Sequence, residues 1–265
     1  MNAAMATRRA YFAVVLGFTA WVGFFAFFRP QEVLRALPWP VPPLHARVIG
    51  ALYLSATLFL LLSLFARTRL QVRTVVDIAG VWTGWLLLIS AVHWRSFDPA
   101  REQVWFWAVA YLTFPLAAAA LSGSGRASSV PRSALITQRP VVMWLAAQGA
   151  ALVVLGLLLA ALPGVMAGLW PWKISTFLAQ IYSGPVLGYG VGSLLLAARR
   201  NWIEMLIPTI GMAAFALLAL LGSSWHIELF GAGSVSQWLW FGALGLLALV
   251  SLVLTAVALR QRHRA

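Results

Sequence analysis

The sequence predicts an all-α, polytopic membrane protein of eight transmembrane helices, built as two parallel four-helix repeats. Three observations carry this. The first is composition: 62% of the 265 residues are hydrophobic and 9% are charged, against about a quarter charged in a soluble domain. So few charges cannot clothe a water-facing surface, and a bilayer is the solvent that suits them. The second is a set of eight apolar stretches of spanning length. The third is a motif that occurs twice. Residues 93–107 read HWRSFDPAREQVWFW and residues 226–240 read HIELFGAGSVSQWLW. Both are H-x3-F-x7-W-x-W, and the second follows the first by 133 residues, from 93 to 226.

A spanning helix needs about 20 apolar residues. The stretches that qualify are 10–28, 46–66, 74–94, 103–121, 141–162, 174–198, 203–222 and 237–259. The first follows Arg8 and Arg9, as a signal peptide would. Its length, the lack of an A-x-A-like site and its end in Phe27, Phe28 and Arg29 make it a span instead.

The first loop is RPQEVLRALPWPVPPLHAR, and its counterpart in the second copy is PGVMAGLWPWK. Pro30 and Pro163 begin short apolar segments that Pro38-Trp39 and Pro171-Trp172 end. Proline suits the first turn of a helix. A short interfacial helix is therefore expected in each copy, as a lid over a central cavity or as a Trp-anchored loop.

The third stretch carries Gly80 and Gly84, a small-residue face that would let the two halves approach closely. The seventh carries Gly211, Ala213 and Ala214. Asp77 and Glu204 are acids near the ends of these stretches, each four residues after an arginine, Arg73 and Arg200. That spacing predicts in-helix ion pairs. The sixth stretch contains SGPVLGYGVGS, with Gly184, Gly188 and Gly192 on one face beside Pro185. It reads either as close packing or as a broken helix exposing carbonyls. Trp105, Trp107, Trp238 and Trp240 open the fourth and eighth stretches as an aromatic belt. Residues two apart on a helix point about 200° apart, so one Trp of each pair should face lipid and the other the bundle. Residues 122–140, SGSGRASSVPRSALITQRP, read as a flexible cytoplasmic linker. The domains are then 1–122, 123–140 and 141–265.

At the same 133-residue offset Pro30 meets Pro163, Trp39 meets Trp172, Arg67 meets Arg200 and Ser90 meets Ser223, with no gap. Matches of such uncommon letters indicate duplication. Four helices per copy is an even number, so the copies share one orientation about an axis along the membrane normal. With the N-terminus inside, 13 basic residues fall on the inner side and 6 (Arg29, Arg35, Arg47, Arg95, Arg101 and Lys173) on the outer. The positive-inside rule then puts both termini in the cytoplasm. It also accounts for the +13 net charge without nucleic acid. Basic ends attract anionic lipid headgroups. The Arg, Ala, Gly and Leu bias suggests a bacterial inner membrane. The absence of cysteine excludes disulfides and thiolate chemistry.

Enzyme signatures such as a Walker loop, G-x-S-x-G or H-E-x-x-H are absent from the sequence. Whether the protein is an enzyme stays open, and no cofactor is named. Candidate ligand-binding residues are His93, His226, Arg47, Trp105 and Trp238, with no metal assigned. The two histidines are expected to point into the space between the halves, with Arg47 and Trp105 near them. Three functions fit: binding or moving a small hydrophobic or amphipathic molecule between the repeats, a redox or haem protein or enzyme using the two histidines, or a membrane scaffold or accessory subunit without a site of its own. Membrane lipids are expected partners, and a homo-oligomer is compatible with the sequence.

Overall fold

The computed structural model describes residues 3–123, 136 and 138–262. The order is α1 (Ala3–Phe28), a 3-10 segment (Pro30–Arg35), α2 (Pro43–Leu64), α3 (Arg73–Val92), α4 (Glu102–Gly123), α5 (Arg139–Ala161), α6 (Pro163–Leu169), α7 (Thr176–Arg199), α8 (Trp202–Ser224) and α9 (Val235–Arg262). All but the short α6 are long and apolar enough to cross a membrane. The chain is therefore an all-helical, multi-pass membrane protein. Short helical segments begin at Pro30 and Pro163, a 3-10 helix in the first case and α6 in the second. The linker reading falls almost wholly on residues 124–135 and 137, outside the described residues.

Local chemistry sets the helix ends. Pro43 starts α2, where its missing N–H costs nothing. Ser175 Oγ accepts from Leu178 N at the start of α7, and Asn201 Oδ1 accepts from Ile203 N at the start of α8. Between those helices Arg200 adopts a left-handed conformation (φ 48°), which turns the chain within one residue.

Consecutive spans pack in pairs. α1 lies on α2, α3 on α4, α5 on α7 and α8 on α9. The two halves then meet in two seams, α2 on α8 and α3 on α7. Because the eight spans alternate in direction, the start of α1 and the end of α9 lie at one end of the bundle, here called the terminal end. The other is the distal end.

Each seam sets a bulky side chain into a glycine. Phe59 of α2 lies on Gly211, where an added Cβ would stand 2.1 Å from the ring. Ile78 of α3 lies on Gly192 of α7, where it would stand 2.5 Å from Ile78. Positions 59 and 192, and 78 and 211, are each 133 apart, so the large and small partners are exchanged between seams. Gly184 and Gly188 receive Leu86 and Trp82 of α3 in the same way. The α7 glycine face is thus a packing face, and α7 runs unbroken through Pro185. Gly80 and Gly84 differ from expectation. They face Ala118 and Pro115 of α4, within their own half, and do not bring the halves together.

Candidate functional site

At the distal end, His93 ends α3 and its Nε2 donates to Gln180 Oε1 of α7. The Gln180 amide donates onward to Ala160 O at 3.0 Å, and Phe177 stands edge-on to the imidazole at 5.0 Å. In the other seam, Arg47 Nε of α2 donates to His226 Nε2 at 3.0 Å. That nitrogen must be the acceptor, so Nδ1 carries the proton and faces Glu228 at 3.7 Å. Arg47 also donates to Phe27 O at 3.0 Å and lies 4.5 Å over the Trp225 ring. Positions 47 and 180 are 133 apart. Each imidazole therefore reaches the equivalent position of the other half, one as donor and one as acceptor.

The structure brings Arg47 and His226 together and gives His93 a different partner. Trp105 and Trp238 are not with them. They are 54% and 72% exposed, and Trp105 Nε1 donates to Pro99 O. The inward members of the two W-x-W pairs are Trp107 and Trp240. Their Nε1 groups donate to Ser90 and Ser223, and each meets a loop tryptophan, Trp39 or Trp172, edge-on at 4.8 Å. A 200° turn between i and i+2 puts the two rings of a pair on opposite faces.

His45 went unnoticed in the sequence because its counterpart, Leu178, breaks the repeat. It is 3% exposed. Nε2 donates to Lys173 O at 2.9 Å, and Nδ1 accepts from Tyr182 at 3.1 Å. It ties the first turn of α2 to the second half.

The middle of the bundle is nearly filled. Tyr53 hydrogen-bonds Tyr111, and Ser55 hydrogen-bonds Tyr189. Voids of about 40 and about 10 Å³ remain among these aromatic side chains, far below the several hundred Å³ of a small-molecule pocket.

The terminal end differs between seams. In the α3·α7 seam Glu204, 1% exposed, accepts from Thr74 at 3.0 Å and Arg199 at 3.2 Å, with Arg73 at 3.7 Å. Arg199 also binds Asp77 at 2.7 Å. The expected in-helix pairs are not formed. Arg73 crosses to Glu204, and Arg199, not Arg200, bridges both acids. Arg200 instead offers its carbonyl to Ile136 N at 2.8 Å.

Shift those positions by 133 and the charges vanish. Ala66, Thr68 and Gln71 replace Arg199, Asn201 and Glu204, while Leu206, Ile207 and Ile210 replace Arg73, Thr74 and Asp77. These six residues line a groove of about 510 Å³ on α8, with Arg67 and Gln261 at its mouth. The lining on α8 ends at Ile210, and the next residue, Gly211, carries the Phe59 ring of α2, so the groove closes there. Sequence reasoning missed it, although four charged positions with uncharged counterparts were the available signal. Among the described residues no three His, Asp or Glu side chains form a metal-binding group. No family model, curated protein or solved structure matches this chain.

Proposed function

We propose that the protein binds or moves a small amphipathic molecule at the interface between two parallel four-helix units, with both termini cytoplasmic, in a bacterial inner membrane. The observation that carries this reading is the groove of about 510 Å³ at the terminal end of the α2·α8 seam. Its walls come from both halves, its volume suits a small ligand, and its lining passes from polar at the mouth to apolar inside. The site is thus moved from the distal histidines to the opposite end of the seam. His93 and His226 act there as cross-half fasteners. Gln180 and Arg47 already engage the Nε2 atoms of both histidines, which speaks against a redox or haem reading.

The pseudo-two-fold relation is supported by contacts that recur at the 133 offset. α2 on α8 matches α7 on α3. Trp107–Ser90 matches Trp240–Ser223, and the Trp39–Trp107 and Trp172–Trp240 ring pairs cross at 82° and 83°. A cytoplasmic terminal end is supported by the arginine asymmetry. A reporter fused after Ala265 should behave as cytoplasmic, and periplasmic activity would overturn the topology.

The binding reading is tested with a diazirine-bearing long-chain alcohol in vesicles containing the protein. Irradiation and peptide mass spectrometry should place adducts on α8 between Ile203 and Ile210. Ile210→Trp, which fills the groove, should remove them. Adducts spread evenly over the lipid-facing sides of α5 and α9 would refute the reading.

A further inference from the structure

We infer that the groove selects a single-chain amphiphile with an anionic headgroup, drawn from the leaflet at the terminal end. This deepens the seam-binding reading and rests on it. The argument starts from what the groove lacks. No carboxylate lines it. The equivalent positions of the other seam carry two arginines and two acids that neutralise one another. In the groove both signs are gone, and Arg67 alone supplies formal charge. No acidic side chain stands within ion-pair distance of Arg67 among the described residues. A guest that brings one negative charge completes what the protein completes internally on the other side.

The remaining mouth residues point the same way. Gln71 turns its carbonyl oxygen to the backbone N–H groups of Arg67 and Thr68, at 2.7 and 3.0 Å. Its amide nitrogen is left to donate. Arg67, Thr68, Gln71 and Gln261 therefore present donors at the rim, and an acceptor-rich head satisfies them all. Arg67 offers the planar fork that suits carboxylate, sulfonate or phosphate.

Depth decides the tail. From Ile203 to Ile210 along α8 the lining runs about 10 Å at 1.5 Å per residue, within the roughly 15 Å of one leaflet's hydrocarbon. Leu206, Ile207 and Ile210 form its apolar floor, and Phe59 seated on Gly211 stops it. A single chain entering from the interface thus keeps its head at Arg67 and buries its first methylenes against α8.

The test uses the full-length protein in vesicles and three diazirine probes of one chain length, bearing sulfonate, alcohol or trimethylammonium heads. The sulfonate probe should label Ile203–Ile210 about tenfold more than the alcohol, the worth of one charge-assisted hydrogen-bonded contact, and the ammonium probe least. Arg67→Gln should abolish most of that excess while alcohol labelling stays unchanged. Equal labelling by the sulfonate and alcohol probes, or an excess that survives Arg67→Gln, would overturn the anionic selectivity and leave the seam reading standing. Absence of groove labelling by all three would overturn both. Arg67→Lys, which keeps the charge, should retain most of the sulfonate preference. Loss of the preference in that variant together with unchanged alcohol labelling would assign it to guanidinium geometry and still support the anionic class.

Discussion

The two seams, α2 on α8 and α3 on α7, end differently. Both are fastened at the distal end by an imidazole reaching the other half, His93 to Gln180 and His226 to Arg47. Both seat a bulky side chain on a glycine in the middle. At the terminal end the α3·α7 seam is plugged by Glu204, Asp77, Arg73 and Arg199, and the α2·α8 seam is an open groove. The comparison teaches that backbone packing and terminal chemistry are separable. Small-into-large packing sets how closely the helices approach. What fills the terminal end is decided by a few positions outside that packing.

The largest effect should come from breaking the plug. Glu204→Leu leaves Arg73 without its carboxylate and Arg199 with Asp77 alone, and removing one partner of a buried pair costs about 3–5 kcal/mol. Gln71→Leu, at the equivalent position, loses only the turn hydrogen bonds and should cost about 1 kcal/mol. Denaturant titration in mixed micelles measures both. Equal losses would mean that the two terminal ends are energetically alike and the contrast is empty.

The middle of the seams comes next. Gly211→Ala and Gly192→Ala press a Cβ into Phe59 and Ile78, and overpacking of this kind costs about 1–3 kcal/mol. Trimming the opposite partner should recover most of the loss, with Phe59→Leu restoring Gly211→Ala and Ile78→Val restoring Gly192→Ala. If neither second substitution rescues stability, the glycines serve something other than these contacts.

A smaller effect is expected from making the distal fasteners alike. Arg47→Gln copies the Gln180 arrangement, so a hydrogen bond to His226 can re-form. What is lost is the contact over Trp225 and the bond to Phe27 O, about 1 kcal/mol together. A loss as large as that of Glu204→Leu would make Arg47 a structural keystone and sharpen the asymmetry at the distal end too. The smallest effect belongs to Arg67→Gln, an exposed change that should shift unfolding by less than about 0.5 kcal/mol. A marked destabilisation would show that Arg67 serves the fold, which would remove it from the groove argument.

Much of this was readable from residue letters. The scarcity of charge and the eight apolar stretches marked a multi-pass membrane protein, and the paired H-x3-F-x7-W-x-W motifs marked the positions, His93 with His226 and Trp107 with Trp240, that turn out to occupy matching surroundings. Proline at 30 and 163 marked helix starts, because a residue without an N–H is tolerated there. Other features could not be read. Lipid is as apolar as a helix–helix interface, so an almost uniformly apolar helix carries no stripe to say which side is buried. That is why Trp105 and Trp107 could not be told apart as outer and inner, and why Gly80 and Gly84 were assigned to the wrong neighbour. Arginine adds a second uncertainty. Its long side chain reaches partners that sequence spacing does not suggest, so Arg73 crosses to Glu204 instead of pairing with Asp77 four residues away. The groove lies between Ala66, Thr68 and Gln71, after α2, and Leu206, Ile207 and Ile210 of α8, and it ends where Phe59 of α2 meets Gly211. Only the tertiary arrangement decides that, since it is a relation among residues of separate elements, while the letters on any one element are ordinary.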